Sequence, residues 1–271
     1  KYTYFCVMQK SITFKNANIS FSDQGKGTVV VLIHGFLENA TMWKNIIPEL
    51  SKRNRIITID LLGHGKSDCL GYVHSMELFA ESIDAVLRHL KIRKYILVGH
   101  SLGGYVSLAI SKKNASKIKG LCLLNSTSNA DSEELKTRRN RANKMIQNNH
   151  ENLVRMSFTN LFGEQSRITY KTAINEALKE ALKTPIQGYI AANEGMKLRP
   201  NRNHILAENN FKKLIIVGKK DSVLEYKNCL EEAKKTNSEI VVLNGGHMSH
   251  IENTAILIDT LTDFIKLCSS K

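Results

Sequence analysis

A serine with glycine two residues to either side, Gly99, Ser101 and Gly103, stands where an apolar run gives way to a helical pattern in Tyr95-Ile-Leu-Val-Gly-His-Ser-Leu-Gly-Gly-Tyr-Val-Ser-Leu-Ala-Ile110. A strand that turns into a helix at one residue brings the positions two before and two after it into contact, where side chains would collide and glycine fits. The turn pushes the Ser101 hydroxyl out above a sheet. The helix opening behind it offers free N–H groups and a positive dipole end where an oxyanion would form. A serine hydroxyl is a poor nucleophile near neutral pH, so it needs a base within hydrogen-bond reach and an acid to orient that base.

Val98-Gly-His-Ser-Leu-Gly-Gly104 resembles the nucleophile elbow of the α/β-hydrolase superfamily, and other stretches are similar to parts of that family in the same order. The β-branched run Thr28 to Ile33 reads as a strand buried on both faces. It delivers His34-Gly35-Phe36-Leu37 to the carboxyl edge of a sheet, where open α/β sheets bind ligands. Asp60-Leu-Leu-Gly-His-Gly-Lys-Ser-Asp68 resembles the D-x-x-G-x-G-x-S-D loop of the family. Its glycines make turns, Asp60 and Asp68 are expected to hydrogen-bond backbone, and His64 reads as structural.

The resemblance implies a triad in the order serine, acid, histidine, which Ser101, Asp221 and His247 meet. Each follows a strand-like run, so residues far apart in sequence can converge on one sheet edge. It also implies that the N–H groups of Phe36 and Leu102 form the oxyanion hole and that His34 braces their loop. His250 is a rival base, but it falls in the closing helical stretch. Asp60 and Glu225 are weaker rivals for the acid. Two positions depart from the pattern: no proline follows Asp221 in Ser222-Val-Leu-Glu225, leaving the backbone course there open, and Thr254 stands where a proline is frequent. The chemistry requires no metal and no organic cofactor.

With 271 residues, 42% of them hydrophobic, the chain can build one α/β domain with an insertion, or two small domains. The longest apolar runs, such as Val29-Val-Val-Leu-Ile33, are strand-sized and short of the roughly 20 residues that span a membrane, so no membrane insertion is expected. Lys1-Tyr-Thr-Tyr-Phe-Cys-Val-Met8 lacks a sustained apolar core and a small-residue cleavage site, so no secretory leader is expected there, and Met8 is a candidate start. Five scattered cysteines without a C-x-x-C pair fit a reducing, cytoplasmic setting. The net charge of +14 is spread over the chain without a basic run that alternates with aromatics, which reads as a solvated lysine-rich surface rather than a nucleic-acid site. Such a positive field also attracts anionic substrates.

Taken in order, 11–22 alternates like a hairpin of two edge strands that ends at Gly25-Lys-Gly27. The segment 41–52 reads as a helix with Thr41 as N-cap and Pro48 as a distortion. Arg55-Ile-Ile-Thr-Ile59 is a buried strand, 75–91 an amphipathic helix, and Lys119-Gly-Leu-Cys-Leu-Leu-Asn125 another strand. From 126 to about 210 strand runs vanish and helix-forming sequence takes over. Strand patterns resume over 211–218 and 239–243, with a helix over 225–235 between them and another over 250–267. With the resemblance, this order of elements implies α/β of the α/β-hydrolase type, a mostly parallel sheet flanked by helices with a helical cap insertion. Residues 1–125 and 211–271 form the core, and 126–210 a helical cap or lid. Met156, Phe158, Leu161, Phe162 and Met196 are candidates for a substrate-facing surface.

The functional expectation is a serine hydrolase that cleaves a carboxylic ester or similar acyl bond of a small molecule. Enol-lactonases, carbon–carbon bond hydrolases and the pyruvate-eliminating synthase of menaquinone biosynthesis share the same triad. Arg138, Arg139, Arg141, Arg155 and Arg167 are candidates to recognise carboxylates of anionic substrates. Serine at the elbow argues against the dehalogenases and epoxide hydrolases of the family, which use an aspartate there. A hydrolase-fold ligand receptor is the non-enzymatic alternative. Oligomeric state has no signature in the sequence.

Overall fold

The structure, a computed structural model, describes residues 9–270, so Met8 and residues 1–7 lie outside the described residues. The strands β1 (Lys10–Phe14), β2 (Ala17–Gly25), β3 (Thr28–Ile33), β4 (Asn54–Ile59), β5 (Tyr95–His100), β6 (Ile118–Leu124), β7 (Lys212–Gly218) and β8 (Glu239–Leu243) form one sheet. Its order is β1-β2-β4-β3-β5-β6-β7-β8. The β1/β2 and β2/β4 pairings are antiparallel and all others parallel. The expected pair of edge strands is corrected here. Only β1 lies at the edge, because β2 continues to Gly25 and pairs with β4 from Phe21 onward.

The helices are α1 (Ile47–Leu50), α2 (Met76–His89), α3 (Leu102–Asn114), α4 (Glu133–Met145), α5 (His150–Thr159), α6 (Glu164–Thr169), α7 (Lys171–Ala181), α8 (Ile186–Leu198), α9 (Asn203–Glu208), α10 (Tyr226–Thr236), α11 (Ser249–Glu252) and α12 (Thr254–Ser269). The helix expected over 41–52 is instead a 3-10 turn, Ala40–Trp43, followed by α1. Asn39 rather than Thr41 caps the turn, its Oδ1 accepting the Thr41 N–H at 2.9 Å. Pro48 opens α1, where its missing N–H costs nothing. The single helix expected over 250–267 breaks at Asn253 into α11 and α12.

Central strands alternate their side chains between two cores. Val31, Ile33, Leu97, Leu121 and Leu123 pack with α2 and α3, while Val30, Leu32, Val98, Cys122 and Leu124 pack with α1 and α12. Burial on both faces is what makes these strands read as unbroken apolar runs. Each such side chain contributes about 1.5–3 kcal/mol by leaving water.

Between β6 and β7 the chain is helical from α4 to α9. A third core holds Phe158, Phe162, Ile174 and Tyr189 together with Leu37 and Met248 from the loops after β3 and β8. The segment therefore packs on the loops that follow the strands. Its α8 lies backbone to backbone on the 61–75 stretch. Glycines seven residues apart, two turns of one helix face, make this contact possible. A Cβ on Gly188 would overlap the Gly63 carbonyl, and one on Gly195 the His74 carbonyl. The His74 N–H donates to the Ala191 carbonyl at 2.9 Å.

Helix propensity alone would favour Gly195→Ala by about 1 kcal/mol. The overlap with the His74 backbone should reverse the sign and leave the variant about 1–3 kcal/mol less stable, read as a lowered urea midpoint at unchanged m. A stabilised variant would show that α8 does not sit this close.

Candidate active site

Ser101 joins β5 to α3 with φ 49° and ψ −113°, a left-handed conformation that a non-glycine residue adopts only when its surroundings enforce it. A Cβ on Gly99 would overlap the Gly103 carbonyl, one on Gly103 the Ile33 carbonyl, and one on Gly104 the Ser126 hydroxyl. The Ser101 N–H donates to the Leu124 carbonyl at 2.9 Å, and the Ser126 hydroxyl to the Ser101 carbonyl at 2.7 Å. The turn is thus pinned from both neighbouring strands.

His247, in the loop after β8, places Nε2 3.0 Å from Ser101 Oγ and Nδ1 2.9 Å from Asp221 Oδ2. Asp221 follows β7, and its side chain is fully buried. Burial opposes its ionisation, but His247, the Asn125 amide and the Leu224 N–H outweigh that and hold the carboxyl below its ordinary value. Its Oδ1 accepts the N–H groups of Val223 and Leu224 at 2.8 and 3.0 Å, a side-chain-closed turn that shapes the loop without a proline. The loops of Asp221 and His247 touch through backbone, since a Cβ on Gly218 would overlap the Gly246 carbonyl.

The Phe36 and Leu102 N–H groups have no acceptor among the described residues, and Leu102 is the first residue of α3. His34 accepts the Leu61 N–H through Nε2 at 2.9 Å and donates from Nδ1 to the Gly35 carbonyl at 2.8 Å. It is a neutral brace, its pKa lowered by burial. Asp60 accepts the Ala40 and Lys66 N–H groups, and Asp68 that of Asn18. His64 is buried and pushed down to about 3, by burial first and then by His34. His250 lies in α11 with Nε2 3.5 Å from Glu38 Oε1, its pKa pushed down to about 4 by burial.

Three further residues escaped the sequence reading. Asn125, buried at the end of β6 with φ 45°, donates through Nδ2 to Asp221 Oδ2 at 3.0 Å and to the Gly246 carbonyl at 3.2 Å. Its place at a strand's carboxyl end was the available signal. Glu38 and His100 meet in a buried carboxyl–imidazole contact at 2.6 Å beside His247. Nothing in their spacing announces it, although His100 lies inside the elbow motif.

Several expectations for the helical segment are corrected. Phe158 and Phe162 are buried in its own core, Met196 packs in the core that holds α2 and α3, and Met156 is exposed. Of the five, Leu161 lies nearest the site, its carbonyl accepting the His247 N–H at 3.2 Å. The guanidinium of Arg139 is engaged by Asp131 and Asn193, that of Arg155 by Glu151, and that of Arg167 by the Thr159 and Phe162 carbonyls. A cavity of about 290 Å³ opens between the 37–45 stretch and α7, but Ser101 does not line it. Among the described residues no group of three or more His, Cys, Asp or Glu side chains is placed to hold a metal, and no helix is long and apolar enough to cross a membrane.

Comparison with known proteins places these features. The family model for the alpha/beta hydrolase fold matches residues 28–254. A thermophilic esterase from Thermogutta terrifontis superposes with a TM-score of 0.91 at 27% identity, covering 97% of this chain and 100% of that one. An enol-lactonase from Burkholderia xenovorans superposes with a TM-score of 0.88 at 19% identity over 95% of this chain and 100% of that one, a likeness of fold. The 2-hydroxymuconate semialdehyde hydrolase of Pseudomonas sp. is 32% identical over 108 residues, 38% of each chain. The chain covers between 26% and 60% of the length of the curated relatives it matches.

Asn125→Asp keeps the left-handed tolerance of the position but sets a second carboxylate against Asp221. Like charges raise carboxyl pKa values. The pH below which Ser101 loses reactivity toward a serine-directed phosphonate should therefore rise by about a unit or more. An unmoved profile would show that Asn125 does not govern the Asp221 charge.

Proposed function

Within the α/β hydrolase fold family, to which this chain belongs, we propose that the protein is a serine hydrolase cleaving a carboxylic ester or similar acyl bond of a small molecule. The observation that carries this reading is the unbroken hydrogen-bonded chain from Asp221 through His247 to Ser101, whose hydroxyl the strained turn holds out at the carboxyl edge of the sheet.

In this reading Ser101 Oγ attacks the acyl carbon while His247 Nε2 takes its proton. Asp221 holds the Nδ1–H tautomer and stabilises the imidazolium. The Phe36 and Leu102 N–H groups receive the tetrahedral oxyanion. His247 then donates its proton to the departing alkoxide, leaving an acyl-serine and a free alcohol. A water that gives a proton to the same nitrogen attacks the acyl-serine, releasing the acid and restoring the Ser101 hydroxyl. The helical segment 126–210 would serve as the cap. Its Leu161 carbonyl meets the His247 N–H, and Ser222 donates to the Asn160 carbonyl at 2.8 Å, so it contacts both loops that bear the proposed base and acid. Tyr189 of α8 packs against Phe36 with ring centroids 4.8 Å apart and planes tilted by 59°, which puts a cap side chain against the proposed oxyanion loop.

A second reading, hydrolysis of a carbon–carbon bond with the same three residues, draws support from the similarity to the semialdehyde hydrolase.

Release of p-nitrophenol from esters of graded acyl length tests the first reading. The natural protein should turn over with an optimum that sizes the acyl pocket, Ser101→Ala should lose about 10⁶-fold in kcat, and Asp221→Asn about 10⁴-fold. Labelling of Ser101 by a phosphonate without ester turnover would favour the second reading. Neither turnover nor labelling would overturn both and leave a ligand-binding role.

A further inference from the structure

The proposed chemistry requires three segments to keep register: the 34–37 loop, the turn at Ser101 and the loop of His247. One buried pair touches all three. Glu38 Oε2 accepts the Gly35 N–H at 2.8 Å and lies 2.6 Å from His100 Nδ1, while His100 Nε2 is 3.0 Å from the His247 carbonyl oxygen. His100 immediately precedes Ser101. The two side chains are only 2% and 4% exposed. A Cβ at position 35 would overlap both Glu38 Oε2 and His100 Nδ1, so the glycine there leaves the space that the pair fills.

The partners dictate the protonation. A backbone carbonyl can only accept, so His100 Nε2 carries a proton. With Glu38 ionised, Oε2 accepts both the Gly35 N–H and a proton-bearing Nδ1, so Nδ1 carries one as well. His100 is therefore a cation. The electrostatics agree: burial opposes ionisation of Glu38, yet His100 chiefly, then His250 and His34, leave its carboxyl at about 2. Burial likewise opposes the His100 cation, but Glu38, the His247 carbonyl and Asp221 raise its pKa above the ordinary value. The other groups facing it are His247, 5.2 Å away between ring centroids, and His250 of α11, 5.5 Å away and neutral.

Resting on the serine-hydrolase reading, we propose that Glu38 and His100 are positioning residues, a buried carboxylate–imidazolium pair that ties the oxyanion loop, the nucleophile turn and the His247 backbone together. The pair carries no net charge, so it fixes orientation without placing an uncompensated cation beside His247. Because the His100 pKa is raised, the clasp is complete below about 6.5, the ordinary histidine value. It is lost as pH rises through the raised value, and the consequence is a basic limb in kcat.

Histidine-selective ¹⁵N NMR of the unaltered protein tests the cation without any assumption about activity. Both ring nitrogens of His100 should be protonated at pH 7. Glu38→Gln and His100→Asn should each lower kcat on the best p-nitrophenyl ester about 10- to 100-fold with KM within about twofold. The double variant should lose no more than the worse single one, and the basic limb assigned to His100 should vanish in His100→Asn. A neutral His100 in the NMR spectrum, or folded single variants whose kcat stays within about threefold, would overturn the proposal. If the variants fail to fold, the spectrum of the unaltered protein still decides the charge. No turnover and no phosphonate labelling of the natural protein would instead sink the hydrolase reading, and the positioning role with it, whatever the charge on His100.

Discussion

The turn at Ser101 has no spare volume, and the geometry around it follows from that. Gly99 meets the Gly103 backbone, and Gly103 meets the carbonyls of Ile33 and His34, so β3, β5 and α3 converge at a separation that no Cβ permits. A left-handed serine costs about 1–3 kcal/mol. Hydrogen bonds from the Ser101 N–H to Leu124 and from Ser126 to the Ser101 carbonyl offset part of that cost. The gain is placement: the Ser101 hydroxyl, the first N–H of a helix and the 34–37 loop share one neighbourhood.

The buried carboxylates of Asp221 and Glu38 are each met by several hydrogen-bond donors, as burial demands. Asp221 is met by His247, Asn125 and two backbone amides, and Glu38 by His100 and the Gly35 amide. Removing one partner of such a set leaves an uncompensated buried group, which is why residues outside the proposed triad carry weight in the proposed chemistry.

The helical segment between β6 and β7 is held differently on its two sides. Asp131, where it begins, pairs with Arg199, where it ends, at 2.6 Å, and Arg199 stacks 3.8 Å from the Tyr105 ring on α3. Together with the close approach of α8 to the 61–75 stretch, this anchors one side through backbone and buried charge. The α5 and α7 side rests on the apolar Leu37 and Met248 and on hydrogen bonds such as that from Asn39 to Glu180 and that from Ser222 to the Asn160 carbonyl.

Strand identity, strand order along the chain and the residues at the strand ends were legible in the sequence because buried parallel strands must be apolar on both faces and turns of this tightness admit only glycine. Those signals, read together with the resemblance to the α/β-hydrolase elbow, pointed to Ser101, Asp221 and His247, which the fold brings within hydrogen-bond reach of one another, and to the backbone contacts of His34, Asp60 and Asp68. What the sequence could not carry was partnership across the fold. Glu38 and His100 lie 62 positions apart, and Asn125 and Asp221 96. Only the packing of the sheet decides that such polar side chains meet. For the same reason Phe162 and Met196 became core, and Phe158 faces both the third core and the cavity beside α7 rather than a pocket at Ser101. Helical spacing marks an apolar face, but which surface covers that face is a property of the tertiary structure.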